Sequence, residues 1–177
     1  MLSERDKTVL RDVARIAGSQ DVAFYVIGAG ARLLVYDWPN ELIAGRGTTD
    51  WDIAVRVSSW VEYERLSRAL TAEGASFKAT SAEHRLVHAD GRCLDLVPFG
   101  GVEGAGRIVT YPARGTTHSV LGLSECEACC VEVDIGEGVV VRAVEPPGLI
   151  LLKARTYLDR RPAIQHDIRD LDYVVRT

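Results

Sequence analysis

The sequence predicts an α+β fold, in which short strands alternate with helices and a pair of helices ends the chain. Residues 50–57 alternate apolar and polar side chains, as a strand with one buried face does. Residues 3–18 carry an apolar stripe at helical spacing behind Ser3, a favoured N-cap residue. Residues 149–176 form two helical patterns separated by Arg160-Arg161-Pro162.

Length and composition predict one folded domain. The chain has 177 residues, of which 47% are hydrophobic and 26% charged. It has no apolar run of membrane-spanning length and no signal-peptide core at the N-terminus, so we expect it in the cytoplasm. The net charge of −4 argues against a general basic field for nucleic acid but is compatible with a local positive groove.

The cysteines do not follow a zinc-site pattern. Cys126 and Cys129 form a single C-x-x-C, with neither a second such pair nor paired histidines to complete a site. We therefore expect Cys93, Cys126, Cys129 and Cys130 to be structural thiols.

The remaining elements follow from local signals. The first helix ends at Gly18, and a capping-box pattern at residues 59–62 opens a helix that we expect to end at Gly74. We predict strands over residues 22–27, 77–80, 84–89, 92–97, 128–135 and 139–144, an irregular segment over 100–123, and helices over 31–38, 149–159 and 163–176. We expect residues 1–144 to form a core on which a helical pair, residues 145–177, packs as part of one compact domain.

A small-residue turn follows the first strand. In Gly28-Ala-Gly-Ala-Arg32 the chain passes from strand to helix, a geometry in which backbone N–H groups hold phosphate. Arg32 would add a fork of donors. The alternative is a tight turn whose glycines serve packing only.

Two carboxylates share the polar face of the strand at 50–57. Asp50 and Asp52 lie roughly 7 Å apart along the strand. Oxygen ligands of this kind suit Mg²⁺, which is bound by one or two carboxylates together with substrate phosphates. A solvated edge-strand face is the alternative. In the strand at 92–97, Asp95 stands alone among apolar residues, where a carboxylate is costly unless it is paired or bound to a metal. If the two strands are neighbours, three carboxylates converge.

A lysine and an aspartate occupy the predicted helical pair. Asp167 falls on the flank of the last helix's apolar stripe, where it needs a cation, and Lys153 on the preceding helix is the candidate partner. Physical reasoning alone leaves open whether this pair is functional or a structural salt bridge.

These motifs resemble the signature of DNA polymerase beta-type nucleotidyltransferases. The matching parts are Ile27-Gly-Ala, the strand with Asp50-Trp-Asp52, and the strand with Asp95. A closer resemblance, over about residues 23–175, is to the AbiEii-like predicted nucleotidyltransferases, some of which act as toxins. It rests on Gly28-Ala-Gly-Ala-Arg, Arg46-Gly-Thr-Thr-Asp-Trp-Asp, Leu94-Asp-Leu-Val-Pro-Phe-Gly and Leu152-Lys-Ala-Arg with His166-Asp-Ile-Arg-Asp-Leu.

The resemblance implies a mixed sheet flanked by helices and a role for each matching residue. Asp50, Asp52 and Asp95 would bind Mg²⁺, and Lys153 and Asp167 would lie near the nucleotide. The residues implied to contact the NTP are Gly28, Ala29, Arg32, Arg46 and Thr48. The chain departs from the pattern at Ala29, where the superfamily often has a second Gly or a Ser, and in a longer gap between Gly28 and Asp50.

The expected activity is transfer of an NMP from an NTP to an acceptor hydroxyl on RNA, tRNA or protein. A toxin of a toxin–antitoxin or abortive-infection system, with an antitoxin protein as partner, is one form of this expectation. The alternatives are a catalytically silent protein that binds nucleotide or a partner, and a nucleotidyltransferase acting on a small molecule such as an aminoglycoside.

Overall fold

The computed structural model describes residues 2–40 and 48–159, with side chains in the last helix described as far as residue 154. The helices are α1 Glu4–Ser19, α2 Gly28–Arg32, α3 Trp60–Leu70, α4 Leu123–Glu127 and α5 Pro146–Asp159, and a π-helical segment, Leu33–Asp37, continues α2. The strands are β1 Phe24–Ile27, β2 Asp50–Val57, β3 Phe77–Ala79, β4 Arg85–His88, β5 Cys93–Gly100, β6 Ile108–Thr110, β7 Thr117–Ser119, β8 Cys130–Asp134 and β9 Val140–Val144.

Seven strands form one mixed sheet in the order β3-β4-β5-β2-β1-β9-β8. β2 lies near its centre, antiparallel to β1 and parallel to β5 along its whole length. The sheet continues through the antiparallel pairs β4–β5 and β3–β4 on one side and through β9 and β8 on the other. The chain is therefore α+β with an open mixed sheet and helices, as expected.

Several local predictions are confirmed. Ser3 caps α1 in a capping box, because its hydroxyl accepts from the Asp6 N–H while the Asp6 carboxylate accepts from the Ser3 N–H. The Ser59 hydroxyl accepts from the Glu62 N–H at the start of α3. β2 has the predicted bounds, and its alternating residues Trp51, Ile53 and Val55 are fully buried.

Other boundaries differ from the prediction. The helix after β1 begins at Gly28 rather than residue 31, α3 ends at Leu70 rather than Gly74, and β5 continues through Pro98 to Gly100. The segment 100–123, which we expected to be irregular, contains the β6–β7 hairpin, a separate two-stranded sheet. Strands of three residues between glycine-containing loops are too short to show a period of two.

The C-terminal prediction is covered only in part. α5 is present and begins at Pro146, three residues before its expected start. The helix predicted over 163–176 lies outside the described residues, so the division at residue 144 stays a prediction. No helix within residues 2–40 and 48–159 is long and apolar enough to cross a bilayer.

The cysteine thiols are unbridged. Cys126 is buried, Cys93 and Cys130 are partly buried, and Cys129 is exposed. The Cys126 Sγ faces the Gly148 carbonyl at the start of α5, in a setting of apolar contacts. The placement of Cys126 agrees with a thiol that acts as a small hydrophobe, whereas the exposed Cys129 does not.

Candidate active site

Two carboxylates meet where β2 and β5 run side by side. The parallel register sets Asp52 directly opposite Asp95 and Asp50 opposite Cys93. Leu94 and Leu96 are buried, so the alternation of β5 turns Asp95 away from them. The strand carrying Asp95 is thus the neighbour of the strand carrying Asp50 and Asp52, as the sequence suggested.

Arg85 pairs with the lone carboxylate of β5. It stands opposite Asp95 in the antiparallel β4–β5 pair, with its Nε 2.7 Å from Asp95 Oδ1 and its Nη2 2.6 Å from Asp95 Oδ2. The same Nη2 lies 3.7 Å from Asp50 Oδ2. A bidentate fork of this kind is the strong form of an arginine–carboxylate pair.

Arg85 was not among the site residues expected from the sequence, because its position opposite Asp95 depends on the exact length of one turn. The turn at Asp90-Gly91 joins β4 to β5, and its length sets the register of the hairpin. A two-residue turn at Asp90-Gly91 would place residue 86 opposite residue 95, whereas the observed loop, residues 89–91, places residue 85 there. The cost of a carboxylate inside β5 is therefore relieved by an arginine on the neighbouring strand.

The environment of Asp52 disfavours its charged form. Burial raises its pKa from the usual value near 3.8 to about 6, and the charges of Asp95 and Asp50 act in the same direction. The positive charges of Lys153 and Arg85 act against this rise. A carboxyl with such a pKa beside other acids is typical of a functional site.

Gly28 brings the backbone against the Asp52 carboxylate. Its φ is +66°, a left-handed conformation that side chains rarely adopt, and a Cβ there would collide with Asp52 Oδ2. The glycine turn after β1 and the D-x-D strand therefore meet at one point.

A cleft of about 730 Å³ opens over these residues. Its lining includes Gly28, Asp52, Asp95 and Arg85, with Lys153 contributed by α5. The opposite wall comes from the β6–β7 hairpin and the start of β4, through Ile108, Thr117, His118, Ser119 and His84. The rings of His84 and His118 lie 4.6 Å apart between centroids, and neither histidine was singled out from the sequence.

The other predicted site residues have varied positions. Thr48 holds the start of β2, because its hydroxyl donates to the Asp50 carbonyl at 2.6 Å. Arg32 pairs with the fully buried Asp37, its Nε 3.1 Å from Asp37 Oδ2, and it does not line the cleft. Its predicted phosphate contact stays a prediction, as does that of Ala29 in the first turn of α2.

Arg46 and Asp167 lie outside the described residues. The predicted pairing of Lys153 with Asp167 is therefore not addressed. Lys153 itself lines the cleft and is close enough to Asp52 to influence its pKa.

The carboxylates suit a hard divalent cation, although they do not form a ready cage. Within the described part of the chain, no three His, Cys, Asp or Glu side chains are grouped as metal ligands. Asp50, Asp52 and Asp95 nevertheless offer oxygen donors alone, the set that Mg²⁺ prefers. The guanidinium of Arg85 against Asp95 and Asp50 marks a place where these acids hold a cation. The residues thus fit such an ion.

Comparison with known proteins identifies the fold. No family model matches the chain, and no curated protein matches its sequence. A solution structure of the antibiotic-resistance factor ANT(2″)-Ia is similar at a TM-score of 0.57 and 14% identity, covering 98% of this chain and 85% of that one. The crystal structure of ANT(2″)-Ia in complex with adenylyl-2″-tobramycin gives a TM-score of 0.56 and 13% identity, covering 96% and 87%.

A third structure, the Thermotoga maritima CCA-adding enzyme complexed with tRNA, has 14% identity and a TM-score of 0.37 over 98% of this chain and 43% of that chain. This score is too low to indicate a shared fold. The likeness to ANT(2″)-Ia shows that this chain shares the fold of that protein, so membership of the polymerase beta-type superfamily stays a prediction. Its membership of the AbiEii-like group stays a prediction.

Proposed function

We propose that this protein is a Mg²⁺-dependent nucleotidyltransferase, which moves an NMP from an NTP to an acceptor hydroxyl. One observation carries the proposal: Asp52 and Asp95 stand opposite each other on parallel strands, with the Gly28 turn against Asp52, inside a cleft that Lys153 also lines. Carboxylates, close backbone approach and a lysine are the groups that triphosphate chemistry needs.

The proposed reaction exchanges a phosphoanhydride bond of the NTP for a phosphoester bond to the acceptor. A bond forms between the acceptor oxygen and the α-phosphorus while the bond from the α-phosphorus to the bridging oxygen of the β-phosphate breaks, so pyrophosphate leaves. The hydroxyl proton passes to Asp95. Without a metal, both Asp95 oxygens accept from Arg85, so this pair has to open before Asp95 takes the proton.

Asp50, Asp52 and Asp95 are the residues that would hold Mg²⁺. When bound, the ion would polarise the phosphate oxygens and neutralise charge that develops during transfer. Ionisation of Asp52 is therefore expected to be part of metal binding. Burial keeps the pKa of this carboxyl at about 6 without a metal, which still leaves it charged near pH 7.

We propose nucleotide contacts for residues that lie in or beside the cleft. Backbone N–H groups at Gly28 and Ala29 would face the phosphates, and Lys153 would neutralise their charge from α5. The remaining candidates are Arg32, Arg46, Thr48 and Asp167. Thr48 would act indirectly, by fixing the backbone that carries Asp50.

We propose RNA, tRNA or protein as the acceptor, in keeping with the resemblance to AbiEii-like toxins. A toxin role with an antitoxin partner is the finer form of this proposal. A small-molecule acceptor is the second candidate, because ANT(2″)-Ia, of the same fold, has been solved with adenylyl-2″-tobramycin. A silent nucleotide-binding protein is the third, and tight calorimetric binding of Mg²⁺ and NTP without turnover would favour it.

Label transfer tests the proposal. The protein is incubated with Mg²⁺ and each α-³²P-labelled NTP, with a tRNA pool, a protein lysate or tobramycin as acceptor. We expect label in one acceptor class, and loss of about a thousandfold or more when Asp50→Ala and Asp52→Ala are combined. Arg56→Gln, on the same strand but paired with Glu127 away from the cleft, is the matched control. Transfer that survives the double substitution would overturn the assignment.

A further inference from the structure

Arg85, Asp95 and Asp52 form a row across three adjacent strands. Arg85 on β4 faces Asp95 on β5, and Asp95 faces Asp52 on β2. The guanidinium also reaches Asp50, so this one side chain contacts two of the three carboxylates proposed to hold Mg²⁺. The Arg85 guanidinium thus lies against two of the carboxylates that the proposed function assigns to the metal.

Arg85 differs from a purely structural partner in its position. The Arg92–Asp6 pair ties the residue before β5 to α1, and both of its side chains are well covered, at 16% and 7% exposed. The Arg85 side chain is 38% exposed and lines the cleft, while Asp95 is 14% exposed. A half-exposed guanidinium regains water when it leaves its partner, so its departure costs less than that of a buried one.

We propose that Arg85 sets the metal affinity of this site, because its guanidinium and the divalent cation compete for Asp95 and Asp50. Metal binding then requires Arg85 to leave Asp95. The inference rests on the proposed function, since it takes these carboxylates as the metal ligands.

Charge and geometry both require the exchange. Arg85 engages both oxygens of Asp95 in a fork, so a metal ion at those oxygens would lie within a few ångströms of the guanidinium. Two positive charges at that distance repel each other strongly at a partly desolvated site. While no metal is bound, the positive charge of Arg85 would balance the negative charges of Asp95 and Asp50.

Metal titration of the whole chain tests the inference. Mn²⁺ is titrated by calorimetry, without nucleotide, into wild type, Arg85→Gln, Arg85→Lys and Arg56→Gln. We expect Arg85→Gln to bind Mn²⁺ about tenfold more tightly than wild type. The variant lacks the guanidinium that competes with the metal for Asp95 through charge-assisted, bidentate hydrogen bonds. Arg85→Lys, which keeps the charge but lacks the fork, should fall between the two. Arg56→Gln should match wild type.

Thermal melting gives a second readout. In EDTA, Arg85→Gln should melt below wild type because its carboxylates have lost their counter-ion, and Mn²⁺ should raise its melting temperature by more than that of wild type. Should Arg85→Gln fail to fold, Arg85→Lys decides the question, since tighter Mn²⁺ binding than wild type is still expected of it.

Equal or weaker Mn²⁺ binding by folded Arg85 variants would overturn the inference. If wild type also binds Mn²⁺ and loses it on Asp52→Asn, the proposed function stands while the role of Arg85 falls. If no variant binds Mn²⁺ with or without nucleotide, both fall together.

Discussion

The two faces of β2 show opposite uses of one strand. Trp51, Ile53 and Val55 are completely buried in the core, whereas Asp50 and Asp52 turn to the other side and meet Asp95. Burial of apolar side chains in the core accounts for the first face. The second carries like charges side by side, and the raised pKa of Asp52 shows that the fold resists its ionisation. The proposed function would explain why the chain keeps a face that costs stability in this way.

The largest expected effect is on the packed face. Ile53→Ala removes a fully buried side chain between Val26 of β1 and Leu96 of β5. We expect the free energy of unfolding to fall by about 3 kcal/mol, with label transfer per folded molecule unchanged. Arg56→Gln, on the other face, should cost less than about 1 kcal/mol, since the Arg56 side chain is half exposed. Denaturant unfolding measures both, and a similar loss in both would remove the contrast between the faces.

The next effect tests the contact between the glycine turn and the acid face. Gly28→Ala places a methyl group against Asp52 Oδ2 in a left-handed backbone, and we expect a loss of about 2 to 3 kcal/mol together with a loss of transfer activity. Gly74→Ala is the control, because Gly74 has a φ of +80° but nothing within 4 Å of the added Cβ.

Gly74→Ala should cost only about 1 kcal/mol, from backbone strain, and leave activity intact. Unfolding curves and label transfer measure the pair. Equal stability losses and equal activities would mean that the approach of Gly28 to Asp52 has no special importance.

The smallest effect is a pH-dependent gain in stability. The pKa of Asp52 is about 6 in the folded protein and near 3.8 when unfolded, so the folded state binds more protons between these values. Stability contributed by this group is therefore lost as pH rises from about 4 to 6. Asp95, Asp50, Lys153 and Arg85 are the charges that act on Asp52 there.

Asp52→Asn removes the buried negative charge that lowers the stability of the folded protein above about pH 6. In EDTA the variant should be more stable than wild type by about 1 to 2 kcal/mol at pH 7.5, after allowance for partial solvation, and equal to it below pH 4. Chemical denaturation across this pH range measures the difference. A difference that does not change with pH would show that ionisation of Asp52 is not its cause.

The sequence predicted the parts of this site that depend on local patterns. The bounds of β2 and the alternation around Asp95 follow from a period of two. The hairpin that forms a wall of the cleft was missed, because β6 and β7 have only three residues each.

The partners of charged side chains were harder to predict than the helices and strands. Asp95 was expected to need a partner, yet nothing within β5 says that the partner is Arg85 on the next strand. Arg32 pairs with Asp37, five residues on, a partner that the sequence did not single out. Which of several oppositely charged groups an arginine meets depends on tertiary structure that a local pattern does not contain.

The most direct test of nucleotidyl transfer follows two labels at once. Parallel reactions contain Mg²⁺, the acceptor identified by the screen, and the same NTP labelled at either the α- or the γ-phosphate. We predict that α-label appears in the acceptor while γ-label appears only in pyrophosphate, in equal molar amounts, and that both signals vanish when Asp50→Ala and Asp52→Ala are combined. Label from the γ-phosphate in the acceptor, or none from the α-phosphate, would contradict the assignment.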